Sequence, residues 1–308
     1  GRAGYWLCLP RPRLTADMRL MIRRIVPGAI GAGIYQINLV VDMIIASFLP
    51  AGSISYLFFA DRVTQLPLGI IGVGVGTALL PLMSRQLGAG NEGGARDSQN
   101  RALEFALFLS LPAAAALMVI AHPVIAILFE RGAFTSVQTA ATAPALAIYA
   151  MGLPAYILVK GLTPGFFARG DTLTPMKLAA LAAAVNLVMA ISLAMIFKHL
   201  GIAMATALSS WLNVILLAWA LKRRGFLAPD QRLLGKLWRI IATSALMVAL
   251  LVYLMDVLDV WLAGNMGARI GGLTMLIGAG FVAYMLLTRL AGCWTLGELK
   301  TLLGREAA

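Results

Sequence analysis

Long apolar stretches alternate with short charged or Pro- and Gly-containing segments along the whole chain. A helix needs about 20 apolar residues to cross the hydrocarbon core of a bilayer, and each stretch is close to that length or longer. The pattern therefore predicts an all-α, polytopic membrane protein with about eight transmembrane helices. The predicted spans cover residues 25–49, 54–84, 102–121, 139–162, 176–197, 201–221, 237–256 and 267–290.

The composition supports this fold class and narrows the function. Hydrophobic residues make up 60% of the chain and charged residues 12%, whereas a soluble domain carries about 25% charged residues. The two cysteines have no metal-binding or redox spacing, and the sequence holds no zinc-protease, nucleophile-elbow or phosphate-loop motif. We therefore expect no enzyme and no bound cofactor, which leaves transport or scaffolding in a membrane.

Most of the 25 Lys and Arg residues lie in alternate loops, on the side that also holds both ends of the chain. Cytoplasmic loops carry such an excess of basic residues, so we assign this side to the cytoplasm. These segments are residues 1–24, 85–101, 163–177, 222–239 and the tail from 289. The net charge of +12 then reflects topology and contact with anionic membrane lipids, and we do not expect nucleic acid as a partner.

Two further segments have an amphipathic pattern. Residues 11–24 are basic with interleaved apolar positions, which predicts a cytoplasmic lead-in over residues 1–24 that lies on the membrane. Residues 122–138 are apolar up to Phe129 and polar afterwards, which predicts an interfacial helix on the external face. The chain begins at Gly1 without a signal-peptide pattern, and we expect that an N-terminal part is missing.

Asp42 lies inside the first predicted span, between apolar neighbours on both sides. A carboxylate at such a position costs a few kcal/mol in lipid, so it should face a cavity or a partner helix. One interpretation is a site that couples transport to sodium ions or protons, in which Asn186 and Thr206 join Asp42 as oxygen ligands. The other interpretation is interhelical hydrogen bonding without an ion.

Asp61 and Arg62 are adjacent inside the second predicted span. Neighbouring side chains on a helix point about 100° apart, so Asp61 and Arg62 do not simply neutralise each other as an ion pair. A guanidinium in a water-filled cavity presents a planar fork of donors that suits phosphate, and Asp61 could orient it. Gln65 lies one turn after Asp61 and extends the polar lining. The alternative is a structural ion pair with another helix.

The second half of the same span is unusual for its proline and glycines. Pro67 predicts a kink or break, and the spacing of Gly69, Gly72 and Gly76 permits close packing against another helix. Such a helix suits a moving transporter but also occurs in static bundles. Lys160, near the cytoplasmic end of a later span, is interpreted as a lysine that snorkels to the interface.

Three stretches of the chain, residues 60–81, 128–135 and 164–177, closely resemble the bacterial lipid II flippases (MurJ/MviN). Members of that family have two six-helix lobes followed by two extra helices, and they belong to the same superfamily as the multidrug and polysaccharide exporters. The resemblance implies that residues 25–221 form the second lobe of a MATE-like transporter. Residues 222–236 would then be a cytoplasmic basic loop, 237–290 two additional helices with a groove for the lipid tail, and 291–308 a cytoplasmic tail.

The function implied by the resemblance is alternating-access transport of lipid II, the undecaprenyl-pyrophosphate-linked peptidoglycan precursor, across the bacterial inner membrane. Asp61 and Arg62 match the acidic–basic pair that lines the family's cavity, whereas Gln65 departs from the Glu of many relatives. The first lobe would be a partner that this chain lacks. Alternatives are a flippase for another lipid-linked glycan, a cation-coupled drug exporter and a membrane scaffold without transport activity.

Overall fold

The computed structural model describes residues 16–293. Within that range, eight helical segments are long and apolar enough to cross a membrane, which confirms the predicted eight-span, all-α fold. The helices are α1 (Ala16–Ser47), α2 (Ser53–Pro67), α3 (Val73–Gly88), α4 (Glu92–Val119), α5 (Ala121–Phe129), α6 (Ser136–Phe167), α7 (Leu173–Phe197), α8 (His199–Arg223), α9 (Gln231–Val257), α10 (Asp259–Leu262) and α11 (Met266–Leu290). A π-helical segment, Leu68–Gly72, joins α2 to α3, so these two helices make one span.

Helix α6 is the centre of the bundle. It packs against α2, α3, α4, α5 and α8, and 67% of its most apolar window is buried, more than in any other span of the described residues. Small residues allow this close packing. A Cβ atom on Gly152 would lie 3.1 Å from the Ala207 Cα of α8, and one on Gly161 would lie 3.0 Å from the Leu103 side chain of α4.

Two predicted segments differ from the structure. The helix expected over residues 122–138 is the nine-residue α5, which ends at Phe129. Most of its apolar residues are buried in the core against α6 and α11, and Leu128 alone among them is exposed. The lead-in helix predicted for residues 1–24 lies partly outside the described residues, and from Ala16 the chain already belongs to the continuous helix α1. The predicted tail lies outside them from residue 294 onward.

The helix pair α9 and α11 is attached to the lobe by polar contacts at three levels. Near the predicted cytoplasmic end, Lys236 Nζ lies 2.6 Å from Glu104 Oε1 of α4. Within the bilayer, the Tyr284 hydroxyl donates to the Phe108 carbonyl at 2.6 Å. At the opposite end, Arg269 Nη1 lies 3.3 Å from Glu130 Oε1, just after α5. The pair is therefore fixed to α4 and α5 along its whole length.

The segment between α6 and α7 connects three loops at the predicted cytoplasmic end of the bundle. Arg169 lies 2.7 Å from the Glu92 carboxylate at the start of α4, and Asp171 forms an ion pair with Arg224 at the end of α8. Burial alone would raise the pKa of Asp171, but hydrogen bonds from Thr174 and the Arg224 guanidinium hold that pKa below its ordinary value. The Asp171 carboxylate is therefore charged at neutral pH and keeps its bond to Arg224.

The first turn of α8, directly after the turn from α7, admits no side chain at Gly201. Lys198 in this turn has φ +54°, and a Cβ on Gly201 would overlap the backbone carbonyl of Leu193. We expect Gly201→Ala to destabilise the protein by about 1–3 kcal/mol, because backbone atoms must move to admit the methyl group. Thermal melting in detergent measures this effect. Gly278→Ala is the matched control, since a Cβ there would meet open space, and equal melting temperatures for the two variants would contradict the prediction.

Candidate functional site

A buried polar cluster joins α1, α7 and α8 around Asp42. Asn186 Nδ2 donates to Asp42 Oδ1 at 3.1 Å, and Thr206 Oγ1 donates to Asp42 Oδ2 at 3.0 Å. Asp42 is 6% exposed and Asn186 is fully buried. The structure thus brings together the three residues that the sequence suggested as ion ligands, which a single sequence could not show.

Two more residues complete this Asp42 cluster, and neither was predicted from the sequence as an ion ligand. Asn38 lies one turn before Asp42 on α1 and accepts a hydrogen bond from Asn186 at 2.9 Å. Ser209 donates to Asn186 Oδ1 at 3.3 Å. Asn38 could have been found from its spacing, since residues four apart share one helix face. Ser209 gives no signal of its own, because a serine inside a span usually bonds to its own helix.

The Asp42 cluster offers one carboxylate surrounded by neutral oxygens. The Asp42 carboxylate, the Asn38 amide and the Thr206 hydroxyl all supply hard oxygen atoms within a small volume. A flip of the Asn186 amide would turn it from a donor into a further oxygen ligand. This donor set fits a small, hard cation, and protonation of Asp42 would satisfy the same charge requirement.

Asp61, Arg62 and Gln65 form a second polar group, on α2. Arg62 Nη1 donates to Gln65 Oε1 at 3.1 Å, and Gln65 Nε2 donates to the Asp61 carboxylate. Gln65 therefore bridges the two charged residues. An ionised glutamate at this position could accept from Arg62 but could not donate to Asp61, so the amide has a clear structural use here.

Arg62 is exposed although it lies within a membrane span. Its guanidinium carbon lies 4.7 Å from the centroid of the Phe58 ring, one turn earlier on α2. The contact with Phe58 and the bond to Gln65 hold the guanidinium in place and leave donors free for a ligand. Asp61 is half-buried beside it, so the group presents a positive charge outward with the negative charge behind.

The kink predicted at Pro67 takes the form of the π-helical segment, which begins directly after this residue. Proline has no backbone N–H, and π turns in helices often lie at such interruptions. A Cβ on Gly72 or Gly76 would lie 3.6 to 3.8 Å from the Lys160 side chain of α6, so these two glycines do allow close helix packing. Gly69 faces open space instead.

Comparison with known proteins places the chain in a family. The model of the family described as lipid II flippase MurJ matches residues 6–270. The chain belongs to the lipid II flippase MurJ family. It is 44% identical over 261 residues to the probable lipid II flippase MurJ of Rhizobium meliloti (strain 1021), an alignment that covers 85% of this chain and 48% of that protein. It is 39% identical over 306 residues to the one from Rhizobium tropici, covering 99% and 57%.

The solved structures agree with the MurJ assignment. A lipid II flippase MurJ in an inward closed conformation matches with a TM-score of 0.72 and 26% identity, over 92% of this chain and 57% of that one. An outward-facing multidrug resistance MATE family transporter matches with a TM-score of 0.57 at 19% identity, covering 90% and 66%, which shows the shared fold alone. The chain spans about half the length of the MurJ relatives that it matches.

Proposed function

We propose that this chain forms the second lobe and the terminal helix pair of a lipid II flippase in the bacterial cytoplasmic membrane. The observation that carries the proposal is the Arg62 group: an exposed guanidinium inside a membrane span, fixed by Phe58 and Gln65. A cation with free donors at that depth needs an anionic partner. The diphosphate of lipid II supplies one, and it suits the planar fork of an arginine.

In this proposal, the first lobe found in the longer relatives completes the cavity opposite Arg62. Arg62 binds the diphosphate, while Asp61 and Gln65 keep the guanidinium oriented. The polyprenyl tail stays in lipid beside α9 and α11. The net charge of +12 and the basic loops support an orientation with both ends of the chain in the cytoplasm. No bond is made or broken, so the chain acts as a transporter and not as an enzyme.

We further propose that the Asp42 cluster couples this movement to a gradient of sodium ions or protons. The cluster joins α1 to α7 and α8, so ligation or protonation of Asp42 changes how strongly these helices hold together. An ion that binds one conformation better than the other shifts the equilibrium between them. That differential affinity is what a coupled transporter requires.

The proposed function can be tested with a chimera in which this chain replaces the aligned part of the Rhizobium tropici relative. We expect the chimera to restore growth in cells depleted of their own flippase and to bring labelled lipid II to the outer leaflet. The first lobe expressed alone is the negative control. A chimera that inserts normally but moves no lipid II would contradict the proposal. Preferential transport of another lipid-linked glycan, or of a cationic drug, would favour the alternatives.

A further inference from the structure

Three prolines interrupt the central helix α6: Pro144, Pro154 and Pro164. A proline inside a helix has no N–H for the carbonyl four residues earlier, and its ring pushes the preceding turn open. In a bilayer no water is at hand to satisfy the opened carbonyls, so neighbouring helices have to supply the donors. The three prolines are therefore places where α6 can bend, unless side chains of other helices hold the opened turns.

A side chain of another helix donates a hydrogen bond to each of these three opened turns. In every case the accepting carbonyl lies three residues before the proline. Two donors belong to α8 and one to α4, and together they hold both ends and the middle of α6. The donors and their acceptors are His199 Nε2 with the Ala141 carbonyl at 3.0 Å, Trp211 Nε1 with the Met151 carbonyl at 3.0 Å, and Gln99 Nε2 with the Gly161 carbonyl at 3.3 Å.

The same kind of bond is present at Pro112 in α4. The Phe108 carbonyl, four residues before this proline, accepts from the Tyr284 hydroxyl of α11 at 2.6 Å. The turn before Pro67 is different. Among the hydrogen bonds of the described residues, none reaches that turn from another helix, and the chain continues there as the π-helical segment. A donor from another helix is therefore a specific feature of α6 and α4 and not a consequence of every proline.

The bond from Trp211 holds the middle of α6, beside Pro154. A Cβ on Gly152 would lie 3.1 Å from the Ala207 Cα, so the backbones of α6 and α8 approach closely at this level. Ala207 and Trp211 are four residues apart and share one face of α8. Bending of α6 away from α8 at Pro154 would break the indole hydrogen bond and separate the two backbones.

Helix α8 connects this contact to the Asp42 cluster. Thr206 donates to Asp42 at 3.0 Å, and it lies about 7.5 Å from Trp211 along the axis of α8, at 1.5 Å per residue. A displacement of α8 at the Asp42 cluster therefore reaches α6 through the contact at Trp211. A helix that bent freely at Pro154 would absorb that displacement, whereas a rigid helix carries it to both of its ends.

We propose that α6 moves through the transport cycle as one rigid unit with α8, and that the hydrogen bond from Trp211 to Met151 prevents α6 from bending at Pro154. Trp211 is thus a positioning residue, which acts on the backbone of α6 and not on the transported molecule. His199 and Gln99 hold the turns before the other two prolines in the same way. This inference goes beyond the proposed function, because it concerns which parts of the lobe bend and not what the lobe transports.

The test measures the distance between the two ends of α6 in the chimera described above. Spin labels are placed on cysteines at positions 137 and 168, after the other cysteines have been replaced by serine, and pulsed electron paramagnetic resonance gives the distance between them. Val137 is 70% exposed and Ala168 follows the last residue of α6. We expect the parent chimera to show one distance, the same in vesicles with and without lipid II.

Trp211→Phe removes the N–H donor and keeps an aromatic ring. We expect this variant to add a second distance, shorter by about 2 Å for an extra bend of about 20°, and to slow lipid II transport severalfold while inserting normally. Trp219→Phe is the matched control, because Trp219 is an exposed tryptophan of the same helix whose ring lies beside Arg223. The control should keep the parent distance and the parent rate.

Pro154→Ala separates the role of the hydrogen bond from simple packing. Alanine restores the backbone N–H, so the turn no longer depends on the indole. Adding Trp211→Phe to Pro154→Ala should therefore leave the distance single and cost no further transport, whereas a packing role would cost the same in both backgrounds. If Pro154→Ala fails to insert, the label distances of Trp211→Phe alone decide.

Three results would overturn the rigid unit: a parent distance that changes with lipid II, a Trp211→Phe variant that keeps the single parent distance, or equal losses on adding Trp211→Phe to the parent and to Pro154→Ala. The proposed function survives each of them if the parent chimera transports lipid II. A parent chimera that keeps one distance but moves no lipid II would instead defeat the proposed function and leave the rigid unit standing.

Discussion

Replacing Arg62 by alanine should abolish lipid II transport by the chimera while leaving its insertion into the membrane intact. The guanidinium is exposed, and it contacts only side chains of its own helix, Gln65 and Phe58, in the bonds and ring contacts of the described residues. Its removal therefore breaks no contact between helices. The variant loses a charged hydrogen-bond donor to the diphosphate. Hydrogen bonds to charged groups are worth about 1.5–3 kcal/mol each. The loss of two parallel bonds would lower the transport rate by two orders of magnitude or more.

The measurement is growth of flippase-depleted cells together with the appearance of labelled lipid II in the outer leaflet. Arg85→Ala is the matched control, because Arg85 is an exposed arginine on the same span, in the last turn of α3. Arg62→Lys should keep part of the activity, since it retains the charge but loses the planar fork. Full growth with the Arg62→Ala variant would remove Arg62 from the proposed substrate site.

The sequence predicted the spans well because the length of an apolar stretch is set by the bilayer and not by tertiary contacts. Helix α8, predicted over residues 201–221, runs from His199 to Arg223, and α7, predicted over 176–197, from Leu173 to Phe197. The prediction for the second span was less complete, because it did not include the π-helical segment. Its apolar pattern continues through Pro67 without a break, so periodicity gave no sign of a π-helical segment, and only the proline marked the place.

Helix α5 shows where hydrophobicity alone misleads. Its apolar residues suggested a helix on the membrane surface, but most of them are buried against α6 and α11. The burial depends on the later helix α11, which returns to the same end of the bundle, and on the contact of Arg269 with Glu130. A pattern within residues 122–138 cannot report a partner that lies far along the chain.

The candidate sites also contain residues that the sequence identified and residues whose roles needed the structure. The cost of a charge in a span identified Asp42, Asp61 and Arg62 from the sequence. The role of Gln65 needed the structure, because its amide both accepts from Arg62 and donates to Asp61. That arrangement shows why glutamine suits this position. The resemblance to glutamate-bearing relatives indicated only that a carboxylate is absent here.

Neutralising Asp42 as asparagine should remove the dependence of transport on an ion gradient. Asparagine has nearly the same shape as aspartate: its amide oxygen can still accept from Asn186, and its amide nitrogen can donate to the Thr206 hydroxyl, which then donates to the Ile202 carbonyl, so the contacts of α1 with α7 and α8 remain in large part. The charge that attracts a cation or takes up a proton is lost. We expect transport by Asp42→Asn to stay at the level that the parent chimera shows without any gradient, whichever ion is supplied.

Vesicles that contain the chimera, with a sodium gradient in one arm and a proton gradient in the other, distinguish the two coupling ions. A second readout is thermal melting, because an ion that binds only the folded state raises the melting temperature increasingly as its concentration exceeds its Kd. If sodium is the coupling ion, it should stabilise the parent but not Asp42→Asn, and Thr206→Val should weaken the effect. Asp256→Asn, at an exposed carboxylate near the end of α9, is the matched control. Transport by Asp42→Asn that responds to either gradient as the parent does would show that the cluster only holds the three helices together.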